Sequence, residues 1–444
     1  MEEWYSRQGT TYQLGTLDWR MSARRYLAPY TSWLIPLAYS VSALLGGFTF
    51  PRLEEHLFPR LTVGMSVPSA MAIYSSIASG MIALTGIVFS LTFLMVQFSA
   101  TAYSPRLVLW KSRDPVLAHA LGTFTATFLY ALSALAWIDR NTAKVPFFSA
   151  LVVALLLLAS ISMFVSLTQR ISALQIERML QYVGQQGRDA IKNLYPRLDS
   201  VAITPAEENT RSGLALQTLF HRGEPGAIQA VRVQKLIELA SRWEVIIELE
   251  AAVGDTINEF TPLLRVYGAT QPIDEESLWA TIAIGTDRTF EQDPKYALRL
   301  LVDIAIRALS PALNDPTTAV QSLNQIEDLL FRLGFSKLDI GNFRDADGKL
   351  RLMIPVPAWA DFLRLALEEI RYYGASSVQV LRRLNALIDN LISILPEKRR
   401  PELFSVRERV RGTISRSFQG RAEHMDASMA DSQGLGIPRK TDAA

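Results

Sequence analysis

Hydrophobic positions are unevenly distributed along this chain. In the first 170 residues they form long unbroken runs; beyond that they recur among charges at helical or alternating spacing. No ionised residue stands between Arg25 and Arg52, and none between Arg60 and Arg106, an interval of 45 residues. Two more charge-free intervals lie between Asp114 and Asp139 and between Lys144 and Arg170. A helix of about 20 apolar residues crosses a bilayer core. The intervals therefore predict transmembrane helices near residues 28–50, 69–100, 116–138 and 145–167. Buried helices of a soluble protein would have to supply four such runs in succession. The expected fold is a membrane protein, with a four-helix transmembrane domain over residues 1–168 and a mixed α/β cytosolic domain after it.

The rest of the chain divides by period. Residues 169–223 read as a connecting helix and loop, with Ile171–Leu194 continuing the fourth span into the cytosol. Residues 224–268 turn to short β runs, Ala227–Val231, Trp243–Leu249 and Leu263–Val266, around a short helix at Val233–Ala240. The turns Val253-Gly254-Asp255-Thr256 and Thr261-Pro262-Leu263 give this small β-rich module a weak similarity to barrel-sandwich carriers of lipoyl and biotinyl groups. A carrier needs a lysine at a hairpin tip, and Lys235 lies in the helical stretch, so a binding or packing module is expected. Residues 269–418 read as a helical domain with a β-hairpin. Tyr296, Leu300, Ile304 and Ala308 mark one helix face, Pro311 interrupts it, and Ala319, Leu323, Ile326 and Leu330 resume. Asp345-Ala346-Asp347-Gly348 is a hairpin turn. Asp361–Tyr373 and Ser377–Leu395 are amphipathic helices, Glu397–Arg411 is a charged one, and residues 419–444 are expected to be a disordered tail.

Charge adds orientation. Residues 1–168 carry 11 Lys/Arg and 7 Asp/Glu out of totals of 45 and 43, leaving 34 basic against 36 acidic residues in 169–444. Neither part has the basic excess of a nucleic-acid binder. Arg7, Arg20, Arg24 and Arg25 precede the first span, and Arg106, Lys111 and Arg113 follow the second; the other two loops hold two basic residues each, diluted by acids. The positive-inside rule then places both termini in the cytoplasm, as expected of a multi-pass protein of the cytoplasmic (inner) membrane. The polar, aromatic first 28 residues are not expected to act as a cleavable signal peptide. The chain has no cysteine and 4 histidines, none at i, i+4 spacing. Disulfides, thiolate metal sites and cysteine nucleophiles are excluded, and no metal or cofactor is expected.

The second span is the most unusual. As a helix, 69–100 is roughly 45 Å long, more than a hydrocarbon core requires. Ala72, Ser76 and Gly80 form one small-residue ridge and Ser75, Ser79 and Ala83 another, with Gly86 beyond. Such ridges let helices approach closely in lipid, so Ala72, Gly80, Ala83 and Gly86 are candidate packing positions. The uncharged hydrogen-bonding groups Ser76, Ser79, Thr85, Ser90 and Gln97 are candidates to line an aqueous pathway. Ordinary helix packing, with hydroxyls bonded back to their own helix, accounts for the same pattern.

The run Ala78-Ser79-Gly80-Met81-Ile82-Ala83-Leu84-Thr85-Gly86-Ile87-Val88-Phe89-Ser90 resembles a bacterial predicted membrane protein family of unknown function (family 2254). So do Phe98-Ser99-Ala100-Thr101-Ala102-Tyr103-Ser104-Pro105-Arg106-Leu107 and Leu121-Gly122-Thr123-Phe124. Arg307-Ala308-Leu309-Ser310-Pro311-Ala312-Leu313-Asn314-Asp315-Pro316-Thr317-Thr318-Ala319 and Arg371-Tyr372-Tyr373-Gly374-Ala375-Ser376-Ser377 extend the resemblance, which spans residues 20–400. It implies a bacterial membrane location and the two-part layout, and brings no activity with it.

Chemistry is sparse. Phosphate-loop, GxGxxG, GxSxG and HExxH patterns are absent, so no enzymatic role is expected. Asp303, Arg307, Asn314 and Asp315 are candidates for a cytosolic polar pocket at a helix N-terminus, where a small ion or anionic ligand would bind. The helix break alone explains the same residues. The reading that emerges is a homo-oligomer in the lipid bilayer that forms or gates a passive route for ions or small solutes, regulated by its cytosolic domain. The only candidate ionised side chain in the spans is His119, which favours a passive channel over an ion-coupled pump. The alternatives are a membrane-anchored sensor or signalling scaffold without transport and, least supported, a membrane-surface enzyme.

Overall fold

The computed structural model describes residues 19–58, 64–102, 115–136, 145–172, 176–198, 215–268, 271–420 and 422–435. The chain forms two compact units, divided between Gln175 and Ile176.

The first unit is helical: α1 (Trp19–Leu57), α2 (Val67–Ala102), α3 (Pro115–Leu135) and α4 (Phe147–Ser172). All four are long and apolar enough to cross a membrane, over Leu34–Glu54, Val67–Leu94, Val116–Leu135 and Phe147–Gln169. The expected spans are present, with α1 running on past residue 50. The basic loop residues Arg7, Arg106, Lys111 and Arg113 lie outside the described residues.

Helix α3 is the centre, packing against α1, α2 and α4. Of its apolar window 56% is buried, against 17% for each of the other three. Its sequence explains the position, because Ala118, Ala120, Gly122, Ala126, Ala131 and Ala134 give three neighbours room to approach. Phe124 fills the middle with no exposure. The buried hydroxyl of Thr127 reaches Ser160 of α4 at 2.8 Å and donates to its own helix at Thr123 O, also at 2.8 Å. Outward positions such as Leu45, Ile87, Phe89, Phe93 and Leu158 are exposed and apolar, a surface suited to lipid.

The second unit begins with α5 (Ile176–Leu194). Its expected continuity with the fourth span falls on residues 173–175, outside the described residues. A β module follows: β1 (Gln217–Phe220), β2 (Gly226–Val231), α6 (Val233–Arg242), β3 (Ile246–Leu249), β4 (Thr256–Ile257), β5 (Pro262–Tyr267), α7 (Glu275–Trp279) and β6 (Ile282–Gly285). Helices α8 (Pro294–Ala308) and α9 (Pro316–Gly334) come next, then hairpin β7 (Asn342–Arg344) and β8 (Leu350–Met353). The chain continues through α10 (Trp359–Tyr373), α11 (Val378–Ile394), a 3-10 turn at Glu397–Arg399, α12 (Arg400–Ser417) and α13 (Glu423–Ser428).

The strands make a five-stranded sheet of order β1-β5-β3-β8-β7 and a three-stranded sheet of order β4-β2-β6. Both contribute to one core, which includes Ile228, Ile247, Ile257, Leu263, Leu264 and Leu352. The expected module of 224–268 is therefore too small. Strand β1 comes from the segment read as a polar loop, and β6 lies beyond the proposed boundary. The hairpin assigned to the helical domain joins the sheet through β8, parallel to β3 with Ile247 opposite Leu352. Edge pairing needs only a few apolar residues on one face, which polar flanks conceal.

The disordered tail also needs correction. Residues 422–435 lie along α11 and are held by its side chains. The Arg382 guanidinium donates to Asp426 O, Asn385 Nδ2 to Ala427 O at 3.2 Å, and Gln379 Nε2 to Gly434 O at 2.8 Å. Those three donors sit three residues apart on one helix stripe. The segment's polar composition hides this anchorage, because the strap is held mainly through backbone carbonyls.

Candidate functional site

The second span was singled out by its sequence, and its two faces differ sharply. Val67, Ala70, Tyr74, Ala78, Met81 and Val88 are buried against the other helices, at the i, i+3/i+4 spacing of one face. Ala72, Ser76, Ser79, Gly80, Ala83, Gly86 and Ser90 are exposed, and at 100° per residue they centre on the opposite side. Gln97 continues that side and is exposed as well. A Cβ built on Gly80 or Gly86 meets nothing within 4 Å. Gly80 and Gly86 therefore have no neighbouring helix against them among the described residues, and Ala72 and Ala83 lie on the same exposed stripe.

Thr85 parts from this group. It is half-buried on the packing face, and its hydroxyl donates to Met81 O at 2.7 Å; Thr92 does the same to Val88 O at 2.7 Å. These hydroxyls are satisfied by their own helix, as a threonine's are wherever a helix faces apolar neighbours. Of the five pathway candidates, Ser76, Ser79, Ser90 and Gln97 share one face and Thr85 does not.

Close packing within the chain occurs elsewhere. A Cβ on Gly47 of α1 would stand 1.7 Å from Ser133 Oγ of α3, and one on Gly122 of α3 would stand 3.0 Å from the Tyr39 ring of α1. His119 is half-buried, with Nδ1 3.2 Å from the Tyr39 hydroxyl. Glu54, four residues beyond the expected end of the first span, is a buried carboxylate. It sits at the end of the α1 window and accepts the N–H groups of Phe148 at 2.7 Å and Ser149 at 3.0 Å. A carboxylate there satisfies free donors at the start of α4 and meets the positive end of its dipole. An acid shortly after an apolar run, followed far downstream by a helix start without its own cap, is a faint signal for such a tie.

In the second unit Asp303, Asn314 and Asp315 each have a local structural role. Asp303 is engaged by Arg299, which also pairs with Glu369 of α10. Asp315 caps α9, accepting from Thr318 N at 3.1 Å and Thr318 Oγ1 at 2.6 Å, so its carboxylate already occupies the position an anion would take. Asn314 takes a left-handed φ of 44° in the turn before the cap, which asparagine tolerates. Arg307 is half-buried on α8.

A cleft of about 70 Å³ lies elsewhere, lined in part by Tyr195, Val253, Lys295, Ile354 and Pro357. Its buried acid, Asp293, caps α8 through Tyr296 N and accepts from Arg288 Nη2 at 2.6 Å. Burial pushes its carboxyl up while Arg288 opposes the shift. Among the described residues no group of three or more His, Asp or Glu is placed to hold a metal ion.

The family model described as Predicted membrane protein (DUF2254) matches residues 30–390, from the first span to α11. The chain belongs to this family. It is 28% identical over 372 residues to Uncharacterized protein Mb1321c of Mycobacterium bovis and, equally, to Uncharacterized protein Rv1290c of Mycobacterium tuberculosis. In each case the alignment covers 80% of this chain and 70% of the relative. No solved structure matches. The description as a membrane protein agrees with the four apolar helices of the first unit.

Proposed function

We propose that this member of the family assembles as a homo-oligomer in the cytoplasmic membrane and forms or gates a passive pathway for ions or small solutes. The observation that carries the reading is the exposed stripe of Ser76, Ser79, Gly80, Ala83, Gly86 and Ser90, set opposite the packing face of α2. Small residues let backbones approach, and hydroxyls offer hydrogen bonds in a medium without water. A face of this kind gains little from lipid tails, so it turns to another copy or to water. The interior of a single bundle is packed with Met81, Val88, Ala120 and Phe124, so a route would run between copies, along the stripes. The second unit, which by loop charge faces the cytosol, regulates the pathway and performs no catalysis.

The same stripe also suits a membrane-anchored sensor whose spans only associate, with the hydroxyls in a dry contact. Cysteines at Ser76, Ser79 and Ser90 separate the two, because the native chain has no cysteine to give a background. In the pathway reading a small water-soluble thiol reagent modifies these positions in liposomes and blocks flux through the purified protein. Thr85→Cys, on the packing face, is the unreactive control. If all three stripe positions stay unmodified in folded protein, the pathway reading fails and the anchor reading stands, since a dry thiol remains protonated and inert.

A further inference from the structure

Each of the four helices sends one polar side chain into a single buried cluster at the end of the bundle where α1 finishes and α4 begins. Glu54 comes from α1, Tyr74 from α2, Tyr130 from α3 and Ser149 from α4, with exposures of 6%, 5%, 3% and 2%. The walls include Ala70, Ala126, Ala134 and Val145. Glu54 is held by the two N–H groups at the start of α4, and the Tyr130 hydroxyl lies 3.5 Å from Ser149 Oγ, at the outer limit of a hydrogen bond. The Tyr74 hydroxyl is buried without a hydrogen-bond partner, and Tyr74 packs in the same buried cluster as Tyr130.

A buried hydroxyl left unsatisfied is costly, and more so where the surroundings are lipid and apolar side chains. We propose that this cluster is a binding site for one internal water molecule, which joins Tyr74 to Glu54. The water accepts from the Tyr74 hydroxyl and donates one proton to a Glu54 carboxylate oxygen. Its other proton goes to the Tyr130 or Ser149 oxygen, making three bonds, the usual number for a buried water. A cation would also suit an all-oxygen set. However, Glu54 already faces the positive end of α4, which compensates its charge and opposes a second positive centre beside it. The water makes Glu54 the hub through which all four helices are tied at this end.

The test uses the full chain in detergent, with Tyr74→Phe as a shape-conserving change. If the hydroxyl is bridged, Tyr74→Phe shifts the thermal unfolding midpoint down by about 2–4 °C, the response to roughly 1 kcal/mol in a unit of this size. An unchanged or raised midpoint overturns the proposal, because removing a truly orphaned hydroxyl costs nothing. Tyr130→Phe, which removes one of the two oxygens open to the water's second proton and the contact with Ser149, is expected to shift the midpoint in the same direction. An experimental map of the wild-type protein that shows ordered waters supplies an arm independent of any variant. Density within hydrogen-bond distance of both Tyr74 Oη and Glu54 supports the site, and its absence between ordered side chains overturns it. Stability that rises with sodium over choline, and loses that response in Tyr74→Phe, assigns the site to a cation and overturns the water.

Discussion

Two glycines on neighbouring helices offer a paired test of where helix contacts lie inside one chain and where they lie outside it. Gly47 of α1 is pressed against α3: a Cβ there would stand 1.7 Å from Ser133 Oγ, 2.8 Å from Ser133 Cβ and 3.4 Å from Tyr130 O. Ser133 is 4% exposed and its hydroxyl donates to Tyr130 O at 3.0 Å, so it yields only by breaking that bond or by moving the helices apart. Overpacking of this kind costs about 1–3 kcal/mol, and the lost bond about 1 more. Against this stands the gain of up to about 1 kcal/mol when alanine replaces glycine in a helix. Gly47→Ala is therefore expected to destabilise the bundle by roughly 2 kcal/mol. Gly80 has open space around it, so Gly80→Ala keeps the propensity gain and Gly80→Leu leaves the fold of one chain intact. If the stripe of α2 meets another copy, Gly80→Leu holds those backbones apart and lowers the oligomer number without lowering chain stability. The assay pairs thermal unfolding with native mass spectrometry or mass photometry in mild detergent. Unchanged oligomer size for Gly80→Leu refutes the assignment of the stripe to an interface. A Gly47→Ala chain as stable as wild type refutes the account of α1–α3 packing.

Gly434 sits at a φ of 70°, and a Cβ there would stand 2.3 Å from Val320 Cγ1 of α9. Gly434→Val is expected to unseat the strap of residues 429–435, seen as faster hydrogen exchange and proteolysis there, with α8 and α9 unaffected. Acid should weaken the helical part of the second unit. The Arg371 guanidinium holds the Glu368 carboxyl below the usual carboxylate value of 4.5, and Arg299 does the same for Glu369. A depressed folded value contributes stability above pH 4.5 that is lost as pH falls through it, so unfolding should become easier below that point and Glu369→Gln should blunt the change. A flat profile from pH 6 to 3 would show these pairs to be screened at the surface.

The four apolar helices were legible in the sequence because a bilayer demands about 20 residues without charge, a requirement each segment meets by itself. The paired helices around Pro311 and the turn at Asp345–Gly348 were legible for the same reason, since period, cap and turn residues act locally. Tertiary structure decided what depends on a partner far along the chain. Hydrophobicity cannot rank α3 as the central helix, because every span is apolar; its alanines and Gly122 matter only once three neighbours crowd it. Nor does composition distinguish Thr85, bonded to its own helix on the packing face, from Ser76 and Ser90 on the free face. Glu54 reads as a loop charge until the start of α4 is brought to it, 94 residues away. Strand β8 and the strap of residues 429–435 follow the same logic. Each is held mainly through backbone groups, which every residue carries and which no sequence pattern announces.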